Sequence, residues 1–265
     1  MSTVEKTLKL LGYLKTTSPE LGLSQFTRLS GEDKATTHRR LADLTRAGFL
    51  EQDPVTRAYR LGAALTRLAL TREQSFPLAE HARRVLERLY EAVGETVHVS
   101  VVQGVEGLAT LAHIDDHSHG NRVYIEPADI LPFHATASGI VTLAHSEPSF
   151  RDRILSRGFN SLTSETETDP QVLALHLEDA RRSGFGRSEG AYEPDVFSIA
   201  APLFGSDGTC KGAIATAMPK ARLTDACEAR VLPALARAAS DLTAHWGGVV
   251  PPGLRAAWHG GFSAA

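Results

Sequence analysis

Cysteine is nearly absent from this 265-residue chain: Cys210 and Cys227 are the only two. Two thiols build no disulfide framework and match no zinc spacing, which fits a reducing compartment. Long apolar runs are missing too, and the first residues lack a basic start followed by an apolar block. Neither a membrane span nor a secretory leader is expected, so the chain reads as soluble and cytoplasmic. The marks of common catalysis are also scarce. There is no P-loop and no dinucleotide fingerprint, and Ser138 lacks a nucleophile elbow around it. An enzyme is not expected, nor a cofactor.

What is present is enough apolar sequence to fold throughout: 42% hydrophobic residues and 22% charged. The length suits two domains. The net charge of −3 hides an asymmetry. Residues 1–70 carry 11 Lys+Arg against 7 Asp+Glu, and the remainder carries 17 against 24. A basic N-terminal piece on an acidic body hints at nucleic-acid contact.

Helical spacing of Val4, Leu8, Leu11 and Leu14 predicts a helix over 3–17, stopped by Ser18-Pro19. A short helix over 23–29 follows, with Ser24 as N-cap and Phe26 and Leu29 inward. Asp33 caps a third helix that Gly48 ends. Two strands then flank Asp53-Pro54-Val55-Thr56. Three helices and a hairpin make a winged helix-turn-helix over residues 1–62. A linker helix over 63–76 leads to an α+β sensor over 77–246. Its expected elements are a helix over 78–92, strands at 96–103, 108–114, 121–125, 197–204 and 212–218, and helices over 135–144, 170–184 and 224–246. The Gly- and Pro-rich tail, 247–265, reads as loosely ordered.

In the third helix Thr37, Leu41 and Leu44 fall at helical spacing and face inward. Lys34, Ala35, Thr36, His38, Arg39 and Arg40 remain for the major groove, where arginine pairs with guanine and threonine touches a thymine methyl. Arg28, Arg46 and the hairpin's Arg57 would sit nearer the phosphates and set affinity rather than sequence choice. The plain structural alternative is a solvated, charged helix face.

The segments Gln25-Phe-Thr-Arg-Leu-Ser-Gly, Lys34-Ala-Thr-Thr-His-Arg-Arg-Leu, Ala47-Gly-Phe-Leu and Tyr59-Arg-Leu-Gly resemble the isocitrate-lyase-regulator (IclR) family of bacterial transcription factors. So do Gly94-Glu-Thr-Val-His, Pro132-Phe-His-Ala-Thr-Ala-Ser-Gly, Gly184-Phe and Ile199-Ala-Ala-Pro-Leu-Phe. Each is weak alone; order and spacing across 3–246 make the resemblance specific. It implies an α+β chain with an N-terminal winged helix-turn-helix and a C-terminal GAF-like α/β effector-binding domain. Homodimers or homotetramers on palindromic double-stranded operators, repressing or activating, are implied as well. Arg40 departs from the usual apolar residue and must snorkel toward water or phosphate. Glu32-Asp33 would add some repulsion near DNA.

The resemblance places an effector pocket between residues 133–141 and the strands at 196–204 and 212–218. It points to Ser138, Gly139 and Ser198, with Ala215 and Ala217 where some relatives carry serine. Small residues around Ala137 let a ligand approach the backbone, and helix-start N–H groups favour an anion. Glu189, Tyr192 and His134 are further candidates, and His98 and Tyr124 could hydrogen-bond an acid or a phenol. A more apolar pocket favours a small organic acid, aromatic rather than glyoxylate-like. Tight helix–sheet packing would explain the same small residues. The cluster from His113 to His119 suits zinc in composition, yet a solvated loop explains it better. The alternative from another class is a small-molecule or metal-binding sensor that acts through protein partners.

Overall fold

The computed structural model describes residues 2–75 and 77–262. Contacts divide it into two compact units, residues 1–77 with 126–129 and residues 78–125 with 130–265. No helix among the described residues is long and apolar enough to cross a membrane.

The first unit opens with α1 (Thr3–Lys9), whose N-cap Ser2 and Glu5 form a reciprocal capping box. The predicted helix over 3–17 is cut short: the chain tightens into a 3-10 turn at Leu10–Tyr13. That turn drives Leu10 and Leu14 onto Phe26, which is wholly buried. Next come α2 (Leu23–Ser30) and α3 (Lys34–Arg46). The cap of α2 lies earlier than Ser24: Gly22 N donates to Gln25 Oε1 at 2.8 Å. Leu29 turns outward rather than inward. Between the helices Gly31 sits at φ 68, a left-handed conformation that costs glycine least. Asp33 Oδ1 accepts from Thr36 N at 2.8 Å and so starts α3, as its sequence position suggested. Strands β1 (Leu50–Gln52) and β2 (Tyr59–Leu61) pair antiparallel to form the wing. Helix α4 (Ala63–Ser75) ends the described part of this unit's continuous run, and none of its residues is buried. The linker's last position, 76, lies outside the described residues.

In the second unit α5 (Leu78–Val93) buries Ala82, Val85, Leu86, Leu89 and Val93 against the sheet. The sheet takes β3 (Thr96–Gln103), β4 (Gly107–Ile114) and β5 (Ile130–Leu131). Helices α6 (Ala137–Ala144), α7 (Pro148–Leu155) and α8 (Pro170–Ser183) follow. The chain returns through β6 (Gly186–Glu189), β7 (Val196–Phe204) and β8 (Cys210–Pro219) to α9 (Asp225–His245) and α10 (Pro252–Phe262). All six strands are antiparallel, ordered β5-β4-β3-β8-β7-β6. Alternation splits them between two faces. Val97, Val99, Ile199, Ile214 and Met218 meet α5 and α9. Ala200, Ala213 and Ala215 meet α6.

Two expectations fail here. Residues 121–125 form no strand. The tail is not loose in its described part: α10 packs on the second unit through buried Leu254 and Trp258, with Val250 beside them. Trp258 Nε1 donates to Gly184 O at 3.2 Å. Positions 263–265 lie outside the described residues. Gly and Pro dominate the look of this tail, yet Leu254 and Trp258 fall one turn apart on the buried side of α10, with Val250 buried just ahead of it.

Candidate functional site

In the first unit the outer face of α3 is built by exclusion. Thr37 and Leu41 are wholly buried, and Leu44 almost so. That leaves Lys34, Ala35, His38 and Arg39 exposed at i, i+1, i+4 and i+5, one helical face, with Thr36 half-buried beside them. Arg40 does not join them. It is 8% exposed, and its Nη1 lies 2.8 Å from Glu32 Oε2. The contact is a charge contact without hydrogen-bond alignment, and Lys6 Nζ approaches the other Glu32 oxygen at 3.7 Å. Arg40 therefore faces neither water nor DNA, because a charge already inside the turn captures it. The same pairing offsets the charge of Glu32, while Asp33, the exposed cap, keeps its own because the Thr36 N–H holds its carboxyl below the usual range.

The basic residues of this unit fall into two groups, with Lys9, Arg67 and Arg72 exposed and outside the helix-turn-helix and wing. Lys6, Lys15, Arg40, Arg46 and Arg60 each contact a carboxylate. Among the described residues Arg28, Lys34, Arg39 and Arg57 have no ion-pair partner, and all four are exposed. Arg57 stands at the wing turn with φ 60, unusual for a side-chain-bearing residue. Arg46, expected near phosphate, is held by Asp43 at 3.2 Å.

The second unit scatters the expected ligand residues over three places. Ala137 and Ala215 pack with Val141, Ala200 and Ala213, as tight helix–sheet packing requires. Gly139 lies against the segment that leads into α6: a Cβ there would lie 2.5 Å from Phe133 Cα and 2.6 Å from Pro132 O. His134 and Glu189 line a cavity of ≈ 410 Å³ with Glu165, Asp179 and Arg187. His134 also lines a second, of ≈ 320 Å³, with Tyr192, Phe133 and Phe159. Its Nε2 meets Asn160 O at 3.0 Å, and Glu189 is engaged by Lys220 at 2.7 Å. Ser198 pairs in register with Ala217 on the face that carries α6.

Ser138, at the start of α6, is buried and shares a hydrogen bond of 3.2 Å with His98 Nε2. The sequence reading names His98 as able to hydrogen-bond an acid or a phenol, behind the other ligand candidates. The pattern Thr96-Val-His-Val-Ser-Val held the signal: polar residues occupy every second position of a strand whose apolar side is also buried. Burial pushes the His98 imidazole pKa down to about 4, with His113 adding to the effect. Among the described residues its Nδ1 has no hydrogen-bond partner, nor do Ser100 Oγ and Thr110 Oγ1.

The loop after β4 is not an open cluster of ligands. Asp116, wholly buried, accepts from Ser118 N at 2.8 Å and meets His119 Nδ1 at 2.7 Å. Burial opposes its charge, but the hydrogen bonds from Ser118 and His119 hold its carboxyl well below the usual range. Among the described residues no three His, Cys, Asp or Glu converge as a metal site. Gly186-Arg-Ser-Glu-Gly190 spells an elbow pattern but is strand β6, not a strand-to-helix turn, and Ser188 Oγ donates to Ala135 O at 2.7 Å.

A helix-turn-helix with a wing, followed by an α/β domain over a single curled sheet, defines a class: a DNA-binding regulator of transcription rather than an enzyme. Residues 3–54 match the IclR helix-turn-helix domain, and residues 71–244 match the bacterial transcriptional regulator IclR C-terminal domain. The chain belongs to the IclR family of transcriptional regulators. An IclR transcriptional regulator from Silicibacter sp. TM1040 is similar at 43% identity and TM-score 0.84, over 95% of this chain and 99% of that one. An IclR homologue from Microbacterium hydrocarbonoxydans, solved with 4-hydroxybenzoate, is 26% identical with TM-score 0.72, over 92% and 100%. The regulator BhcR of Paracoccus denitrificans is 28% identical, over 91% of this chain and 85% of its own.

Proposed function

We propose that this regulator binds palindromic operators of a catabolic operon as a cytoplasmic homodimer or homotetramer, and that a small organic acid, aromatic acids favoured, controls its grip. One observation carries the DNA-contact residues: over residues 23–61, from α2 through the wing, Arg28, Lys34, Arg39 and Arg57 stay exposed with no ion pair among the described residues, while Arg40, Arg46 and Arg60 contact carboxylates. Unpaired cations are the ones that release counterions on meeting phosphate. Lys34, Ala35, Thr36, His38 and Arg39 read bases; Arg28 and Arg57 hold the backbone.

A second copy has an apolar surface to cover. Val4, Leu8, Leu68 and Leu70 are all more than 40% exposed on α1 and α4, two helices without a buried residue. Such surface favours association.

The acid site is assigned to the start of α6, with Ser198 and Ala217 paired on the sheet face that carries it. Thr136 Oγ1 caps the Gly139 N–H, and the remaining first-turn N–H groups suit a carboxylate. Support for an aromatic acid comes from the relative that holds 4-hydroxybenzoate. The test is calorimetry of the full chain against aromatic and aliphatic acids, with operator affinity measured in parallel. An acid that binds and changes operator affinity at least threefold is expected. Acids that neither bind nor alter DNA affinity would reject the sensing half of the reading.

A further inference from the structure

On the sheet face that carries α6, cross-strand register aligns polar side chains in two adjacent rows. His98 on β3 is opposite His113 on β4, and Ser100 is opposite Thr110. Ser100 is wholly buried, His98 is 5% exposed, and the Oγ1 of Thr110 is sealed from solvent. Buried polar atoms are nearly always hydrogen-bonded, so three unpartnered ones on neighbouring positions mark a place made to meet a polar group. One further contact is fixed: His98 Nε2 meets Ser138 Oγ at 3.2 Å, at the helix start assigned above to the carboxylate.

Charge decides which group fits. Residues 96–102, 108–114 and 213–217 contain no lysine or arginine. Burial keeps the His98 ring neutral near pH 7. The other ionisable group facing it is His113, whose Nε2 lies 3.9 Å from Asp115. A carboxylate at the Ser100–Thr110 row would be a desolvated charge without a counter-ion. A hydroxyl group both donates and accepts, so it satisfies His98 Nδ1 in either tautomer and either neighbouring hydroxyl as well.

We propose that His98, Ser100 and Thr110 receive a neutral hydroxyl of the effector, so that the domain selects a hydroxylated acid over its unsubstituted parent. The inference rests on the acid-sensing reading and adds the chemistry of the ligand's second polar group. Sites built to hydrogen-bond a hydroxyl discriminate strongly against the analogue that lacks it, because the site's own groups are then left unpaired.

The experiment is calorimetry of the full chain with benzoate, 3-hydroxybenzoate and 4-hydroxybenzoate, on wild type, His98→Leu and His98→Asn. Wild type should bind one hydroxybenzoate about tenfold or more tighter than benzoate. His98→Leu should abolish that preference and leave benzoate within about threefold; His98→Asn, which keeps a hydrogen-bonding atom near Nδ1, should restore part of it. If His98→Leu fails to fold, judged by its melting curve, Ser100→Ala and Thr110→Val carry the same comparison. Equal binding of all three acids by wild type, or equal weakening of all three by the variants, overturns this inference and leaves acid sensing standing. No binding of any acid, by protein that still binds its operator, fails both.

Discussion

Arg40 and Glu32 face each other at 2.8 Å inside the helix-turn-helix, with side chains 10% and 18% exposed. The pair joins the turn after α2 to the inner side of α3. Removing Arg40 leaves Glu32 half-buried beside only the more distant Lys6, at a cost of about 1–3 kcal/mol. Arg40→Ala should therefore lower the melting temperature of the first unit by many degrees, whereas Arg39→Ala, exposed and unpaired, should leave it within a degree or two. Arg39→Ala should instead lose operator selectivity. Thermal unfolding of both variants, with DNA binding below the transition, separates the roles. Equal destabilisation by the two would contradict the inward placement of Arg40. Replacing both members by leucine should recover much of the loss.

Salt dependence separates backbone grip from base reading. If Arg28 and Arg57 touch phosphates, each change to alanine removes one contact from each half-site of a dimer and should reduce the slope of log K against log salt by about 1.8, weakening all duplexes alike. Anisotropy titrations at several salt concentrations measure this. A slope unchanged in both variants would remove them from the interface. Arg57 carries an added signature. Glycine at φ 60 costs less than arginine, so Arg57→Gly should match or exceed wild-type stability while binding DNA more weakly.

The C-terminal helix belongs to the core. Trp258 is 3% exposed, its ring centroid is 6.0 Å from that of Phe185, and its Nε1 bonds to Gly184 O. Trp258→Ala should destabilise the sensor domain by about 3–5 kcal/mol. Ending the chain at Gly247 should cost at least as much. Chemical unfolding of the second unit checks both; a truncated protein of undiminished stability would contradict the packing of α10.

These two regions show what was legible in the sequence. Capping and periodicity located α3, its cap Asp33 and the wing, because each signal is local. They did not reveal that Arg40 points inward. Spacing sets Arg40 three residues after Thr37 and four before Leu44, on the buried stripe, but its charge argued for an outward side chain; the partner that lets it stay inside, Glu32, is brought there by the turn. The tail was misread because composition registers its glycines and prolines but not the alignment of Val250, Leu254 and Trp258. In the sensor, small residues at 137, 139 and 215 suited a ligand and helix packing equally, and the structure shows the close contacts with Val141 and Phe133 that they allow. His98 was visible as an alternating polar residue, while the partner it lacks becomes apparent only in three dimensions.

The buried histidines impose a pH dependence on stability. Burial lowers both His98 and His145 to about 4, from an ordinary 6.5; nearby Arg181 adds to the effect on His145. Between those values the unfolded chain binds protons that the folded chain does not, so stability falls as pH drops from about 6.5 toward 4. Above 6.5 neither state takes the proton and the contribution is level. For His98 the loss is on the order of 3 kcal/mol. His98→Asn should flatten that part of the melting-temperature profile; an unaltered profile would mean that His98 titrates normally.

Association can be tested at the apolar face of α1 and α4. Leu8→Glu with Leu68→Glu should shift the protein from a homo-oligomer to a monomer in light scattering, without unfolding it, since neither residue is buried. An unchanged assembly would place the contact elsewhere.

The most direct measurement is to capture fragments of the source genome on the purified, correctly folded full-length chain at moderate ionic strength, and to sequence what is retained, with Arg39→Ala alongside. The expected result is a few strongly enriched regions sharing a two-fold symmetric motif, with that enrichment lost in the variant. Retention no different from random duplex, with or without added acids, would contradict operator recognition by this helix face.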